Sequence, residues 1–136
     1  MDRESFIESS ERIIKARLEH TGHELTIGEL VRISHEMAKL KGWWENMDRN
    51  VPEQLALMHS EISEALEEFR AGNGMTEVHY GPGNPPKPEG FGIEIADLFV
   101  RAADTCGRYG IDLEACLRTK MLFNLTRPWR HNDRKC

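Results

Sequence analysis

A chain of 136 residues with 39% apolar and 30% charged side chains is long enough for one hydrophobic core and too apolar for general disorder. Eighteen basic against twenty-three acidic side chains give a net charge of −5, so the fold as a whole is no grip for a nucleic-acid polymer. Met1-Asp2-Arg3-Glu4-Ser5 lacks the apolar run of a signal peptide, no stretch approaches the roughly 20 apolar residues of a membrane span, and three cysteines without a Cys-x-x-Cys pair suit neither a disulfide framework nor a zinc knuckle; a cytoplasmic protein with no membrane partner is expected.

Apolar periodicity predicts helix almost throughout. A first amphipathic segment, about Arg3 to Leu18, carries Phe6, Ile7, Ile13, Ile14 and Leu18 and fades at Thr21-Gly22. Thr26-Ile27-Gly28-Glu29 has the form of a capping box and opens a second helix to about Lys41, stopped at Gly42 and followed by Trp43-Trp44. Asn50 and Pro52 suit the start of a third helix running to about Ala71, with Gly72 as its left-handed cap. Of the nineteen residues 72–90, five are Gly and four are Pro, which predicts an exposed connection with at most a short extended piece at Glu77-Val78-His79-Tyr80. A fourth helix is expected from Phe91 to Tyr109, ending at Gly110. Asp112 caps a fifth reaching about Asn124, stopped by Pro128. The expected division is an N-terminal helical extension over 1–24, a helical domain over 25–131 and a polar tail over 132–136.

The third helix places Leu55, Met58, Ile62, Ala65, Leu66 and Phe69 on one apolar face, with Glu61, Glu64 and Glu68 on a neighbouring stripe. In the fourth, Glu94, Asp97, Arg101 and Asp104 share a strip bordered by Phe91 and Leu98 on one side and Ile93 and Val100 on the other. Carboxylates held in so narrow a polar strip repel one another and need a compensating cation. Arg101, between acids of its own strip, is equally an internal counter-ion. Glu61-x-x-Glu64 and Glu94-x-x-Asp97, facing each other across an antiparallel pair, present up to four oxygen donors, a set that selects Mg²⁺ or Mn²⁺; the absence of Glu-x-x-His on either helix argues against a ferritin-like di-iron centre. Solvated charged faces are the competing reading of the same stripes. His20, His23, His79 and His131 have no ligand spacing.

Glu61-x-x-Glu64, twenty-nine intervening residues and then Glu94-x-x-Asp97 resembles the signature of the MazG-type nucleotide pyrophosphohydrolases of the all-α NTP pyrophosphatase superfamily. His35 and Lys41-Gly42-Trp43-Trp44 before the acids, and Lys120, Asn124 and Arg127-Pro128 after them, extend the resemblance over about residues 26 to 131, nearest the phage MazG-like and dCTPase-like branch. The long Gly/Pro-rich connection and His59-Ser60 before Glu61 depart from the pattern.

The resemblance implies an all-α fold, a four-helix core with an extra N-terminal helix, assembled as a homodimer or homotetramer. It implies hydrolysis of a nucleoside triphosphate, a pyrimidine deoxynucleotide for preference, to the monophosphate and pyrophosphate. Mg²⁺ (or Mn²⁺) would be held by Glu61, Glu64, Glu94 and Asp97, with Glu61 as the expected proton acceptor. Substrate-binding roles fall to His35, Trp44, Lys120, Asn124 and Arg127: Trp44 stacks on the base, Trp43 belongs to the core or a subunit interface, and Lys120 and Arg127 meet the phosphates. Favourable charge at a helix end is the other reading of Lys120 and Arg127. A helical nucleotide- or partner-binding module without turnover, and a phosphoribosyl-ATP pyrophosphohydrolase, are the alternative functions.

Overall fold

The computed structural model describes residues 2–20, 22, 24–45 and 49–128; Thr21, His23, His131 and the tail with Cys136 lie outside the described residues. Five helices carry the fold: α1 (Arg3–Glu19), α2 (Ile27–Leu40), α3 (Val51–Arg70), α4 (Phe91–Tyr109) and α5 (Leu113–Leu125). Their limits follow local chemistry. Thr26 accepts from the Glu29 amide and the Glu29 carboxylate accepts from the Thr26 amide, closing the expected capping box on α2. Asn50 and Asp112 accept from the Glu53 and Ala115 amides at the starts of α3 and α5. α4 ends at Gly110 in the left-handed conformation.

Helix α4 is the centre of the fold, packed between α3 and α2, while α1 and α5 both lie on α2. Its crossing with α2 is built from small side chains: Ala38 and Ala103 are fully buried, and a Cβ on Gly107 would come within 2.6 Å of the His35 Cβ. No helix of the described chain is long and apolar enough to cross a membrane. Cys106 is buried and Cys116 exposed, both as free thiols.

The packing corrects one sequence expectation, on α3, and extends another, in the segment after it. Of the face expected to be apolar and inward on α3, Ala65 is buried, but Leu55, Ile62, Leu66 and Phe69 are exposed. α3 turns the side carrying Gln54, Glu61 and Ala65 toward α4 instead, where Arg101 gives Glu61 a cationic partner, while Glu64 stays exposed. In the largely exposed residue 72–90 segment, the short extended piece expected at Glu77-Val78-His79-Tyr80 is present and forms one leg of a small antiparallel hairpin. Strand β1 (His79–Tyr80) pairs with β2 (Pro88–Glu89), in the register His79 with Glu89 and Tyr80 with Pro88. The partner strand was not legible in a sequence so rich in proline.

The hairpin is tied to both central helices. β2 lies on α4, whose start is Gly90 at φ +136°; any side chain there would collide with the Glu77 carbonyl oxygen. On the other side the His79 Nε2 is 3.0 Å from Glu68 Oε2 on α3, while Asn73 Nδ2 donates to the same oxygen at 2.8 Å. His79 Nδ1 lies 3.6 Å from Glu89, so the imidazole sits between two carboxylates.

Hydrogen bonding to Glu68 raises the His79 pKa above the ordinary 6.5, with Glu89 and Glu77 adding to the effect. The reciprocal bond from His79, then that from Asn73, lowers Glu68 below 4.5. A raised histidine contributes stability that is complete below its unfolded value and lost as pH rises through the folded one. A lowered carboxyl contributes stability present above its unfolded value and lost on acidification. The latch is therefore fully made between 4.5 and 6.5 and opens on the alkaline side. An NMR titration of the His79 ring should give a midpoint above 6.5, returning toward that value in Glu68→Gln; equal midpoints in the two proteins would contradict this account.

Candidate metal centre

The seam between α3 and α4 brings three of the four expected acids together. Glu61, Glu94 and Asp97 each place a carboxylate oxygen within 4.8 Å of the others. The helices run antiparallel along this seam: Glu61 meets Arg101 near the middle of α4, Glu64 acts on Glu94 near its start, and Glu68 holds the hairpin beyond. Glu64, the fourth expected ligand, is exposed and outside the three-oxygen cluster, though near enough for its charge to bear on Glu94.

Electrostatically the cluster is short of positive charge. Arg101 Nε donates to Glu61 Oε1 at 2.5 Å, a bond that accounts for one acid. Arg101 is thus a counter-ion on both sides: it bonds Glu61 on the facing helix, and its charge also acts on Asp97 of its own strip. Glu94 is 3% exposed, and its Oε2 has no hydrogen-bond partner. Burial first, then the charge of Glu64, raises the Glu94 pKa, and Lys87 opposes the rise. Burial, then Glu61, likewise raises Asp97 against Arg101 and Lys87. A buried carboxylate oxygen with an unused lone pair, flanked by two further carboxylates, is the donor set that a hard divalent cation satisfies. Glu61, Glu94 and Asp97 thus fit an Mg²⁺ or Mn²⁺ ion, with Glu64 at the rim.

The strip on α4 divides its acids between two neighbours. Asp104 faces α2 and takes no part in the cluster. It accepts from Trp44 Nε1 at 2.8 Å and lies 2.8 Å from His35 Nδ1. Trp44 is 9% exposed; its ring meets His35 and Tyr109 edge-on and lies beneath the guanidinium groups of Arg49 and Arg108, at 4.7 and 4.9 Å. Trp44, expected to stack on a base, has its N–H bonded to Asp104 and its ring packed against these neighbours, in a network that also holds His35. Trp43, expected in the core or an interface, is 51% exposed. It lines a cavity of about 320 Å³ together with Arg49, Glu53, Leu57 and Arg101. Arg101 belongs to both places, so this cavity adjoins the acidic cluster.

The remaining expected substrate ligands lie apart from these acids. Lys120, Asn124 and Arg127 are exposed on or just beyond α5, a helix that packs on α2. The Lys120 ammonium and the Arg127 guanidinium lie 5.1 and 5.5 Å from the Phe123 ring centre. Within one chain their positions are explained by that ring. Lys87 and Arg49 carried no sequence signal, because one stands in a Gly/Pro-rich segment and the other between helices, where no periodicity assigns a side to a residue.

A buried carboxyl with a raised pKa binds its proton more tightly in the folded chain, so its charge lowers stability as pH rises through the unfolded value of 4.5. In the absence of divalent metal, Glu94→Gln should be more stable than the parent at pH ~7 by about 1 kcal/mol, with the gap closing toward pH ~5. Urea unfolding in EDTA measures this; a variant less stable than the parent at neutral pH would show that the Glu94 carboxylate is satisfied in the apo fold.

Comparisons with protein-family models, with curated proteins and with solved structures returned no match, so the reading of this centre rests on its own residues.

Proposed function

We propose that this chain hydrolyses a nucleoside triphosphate, a pyrimidine deoxynucleotide for preference, to the monophosphate and pyrophosphate, with Mg²⁺ or Mn²⁺ as cofactor. The observation that carries the reading is the convergence of the Glu61, Glu94 and Asp97 oxygens within 4.8 Å, one carboxylate being buried with an unpartnered oxygen. The acid-pair spacing and its resemblance to MazG-type pyrophosphohydrolases support the choice of reaction.

In this reading Glu61, Glu94 and Asp97 hold the cation. A divalent ion there supplies positive charge against the phosphate oxygens and the charge that develops at the attacked phosphorus. Arg101 fixes the Glu61 carboxylate in place and presents its edge to the adjoining cavity. Glu64, exposed beside the cluster and outside its three converging oxygens, takes the proton from the attacking water, a role first expected of Glu61. Glu61 is the weaker choice because one of its oxygens already accepts from a guanidinium. The open face of Trp43 receives the base, and Arg49 and Arg101 balance the negative charge of the substrate.

The partner we propose is a second copy of the chain. Leu55, Ile62, Leu66 and Phe69 form an exposed stripe along α3, Phe99 is exposed on α4, and α5 buries none of its residues although Leu117, Met121, Leu122 and Leu125 border a cavity of about 740 Å³. A helix without a buried side chain has little to hold it in an isolated chain, and a two-fold pairing covers such stripes with copies of themselves.

Purified protein with Mg²⁺ and a panel of deoxynucleoside triphosphates should release pyrophosphate, with Glu64→Gln and Asp97→Asn each lowering kcat by at least about 100-fold. Trp43→Ala should act mainly on KM. Silence across the panel, in an assay validated with a known pyrophosphatase, sinks the proposal. Light scattering should give a mass at least twice that of one chain, reduced in Ile62→Lys; a monomeric parent would remove the self-association.

A further inference from the structure

The hairpin between α3 and α4 carries one lysine, Lys87, immediately before β2. Its backbone is fixed: the Lys87 carbonyl accepts from the Gly81 amide at 2.8 Å, and the following Pro88 pairs with Tyr80. Three residues on, Gly90 begins α4, and its carbonyl accepts from the amide of Glu94 at 3.0 Å. The His79–Glu68 bond anchors the opposite leg to α3, beyond Glu61 and Glu64 on the same helix. The loop is therefore held to both helices that supply the acids, at the end of the seam where Glu94 lies.

Two cations act on the cluster, and they are differently engaged. Arg101 is bonded to Glu61. Lys87 immediately precedes β2, the strand that lies on α4, and is exposed with no salt bridge among the described residues; from there its charge opposes the upward shifts of Glu94 and Asp97. An ammonium near an acidic site but bonded to none of its carboxylates remains available for an external anion.

We propose that the 72–90 hairpin is a fixed part of the site and that Lys87 is a positioning residue, which meets the terminal phosphates of the substrate at the α4 end of the carboxylate cluster. The inference deepens the nucleotide reading and rests on it for the identity of the anion. The placement of Lys87 is testable without a nucleotide, since a cation beside the cluster weakens the binding of a divalent ion when no phosphate is present. Removing the charge thus has opposite effects on the two ligands: metal alone binds more tightly, and metal with triphosphate binds less tightly. A purely structural lysine has no such signature.

The test compares the parent with Lys87→Met, Lys87→Arg and a remote control, Lys15→Met. It uses calorimetric titration with Mn²⁺ alone, then with α,β-imido-dCTP in the presence of Mn²⁺. For Lys87→Met we expect Mn²⁺ affinity to rise about threefold and analogue affinity to fall about tenfold. Lys87→Arg and the control should stay within about twofold of the parent. His79→Gln, which frees the hairpin from Glu68, should shift both affinities in the same directions as Lys87→Met. Unchanged Mn²⁺ affinity in Lys87→Met overturns the placement of Lys87 at the site. A raised Mn²⁺ affinity with unchanged analogue affinity overturns its phosphate role and leaves the hydrolase reading standing. A parent that binds Mn²⁺ but no analogue removes the nucleotide reading and the phosphate role with it. A parent that binds no Mn²⁺ removes both proposals.

Discussion

Mutual repulsion among the carboxylates drawn into the seam between α3 and α4 is the constraint around which this molecule is arranged. Arg101 offsets the charge of Glu61 through a direct hydrogen bond, while Glu94 is left buried with a free oxygen. Folding tolerates this because α4 is gripped on both sides, by α3 along the acid seam and by α2 through the close crossing at Ala38, Ala103 and Gly107. The second crossing anchors the helix on which the first one places strained charge. Carboxylates packed for stability alone acquire partners, so a buried acid oxygen without one is the feature that sets this seam apart.

The two acid groups on α4 show how one polar strip serves two ends. Asp104 is fully committed, holding Trp44 and His35 in a network that closes the α2–α4 interface. Glu94 and Asp97, two and three turns earlier, turn to α3 and have no comparable donors. The contrast lies in the neighbours: α2 brings an imidazole and, just past its end, an indole N–H, whereas α3 brings further acids. Saturated hydrogen bonding marks the structural acid, and its absence marks the candidate ligands.

Around the cluster the accessory groups come from parts of the chain that are not regular helix. Trp43 and Arg49 flank the segment between α2 and α3, and Lys87 stands on the hairpin between α3 and α4. Rigid helices hold the acids, whose separation must be fixed, while the connecting segments supply an aromatic face and positive charge at the edges. Helix α5 is of a different kind. It buries none of its residues, and Lys120 together with Arg127 just beyond its end stands near the Phe123 ring.

The sequence by itself determined the five helices, because caps, glycine stops and the 3.6-residue period act within a few residues of where they are read. It also determined the two acid pairs, since offsets of three place carboxylates on one side of any helix. Which way each helix turned was decided by tertiary packing. Much of the apolar stripe of α3 faces outward and Glu61 inward, because the burial of a stripe depends on what the facing helix presents. Trp43 and Trp44 are adjacent and chemically identical, so the contacts of Asp104 and Arg108 with one of them were needed to tell core from cavity wall. Lys87 is carried to the start of α4 by the hairpin, a path that no helical period encodes, since it depends on the pairing of β1 with β2.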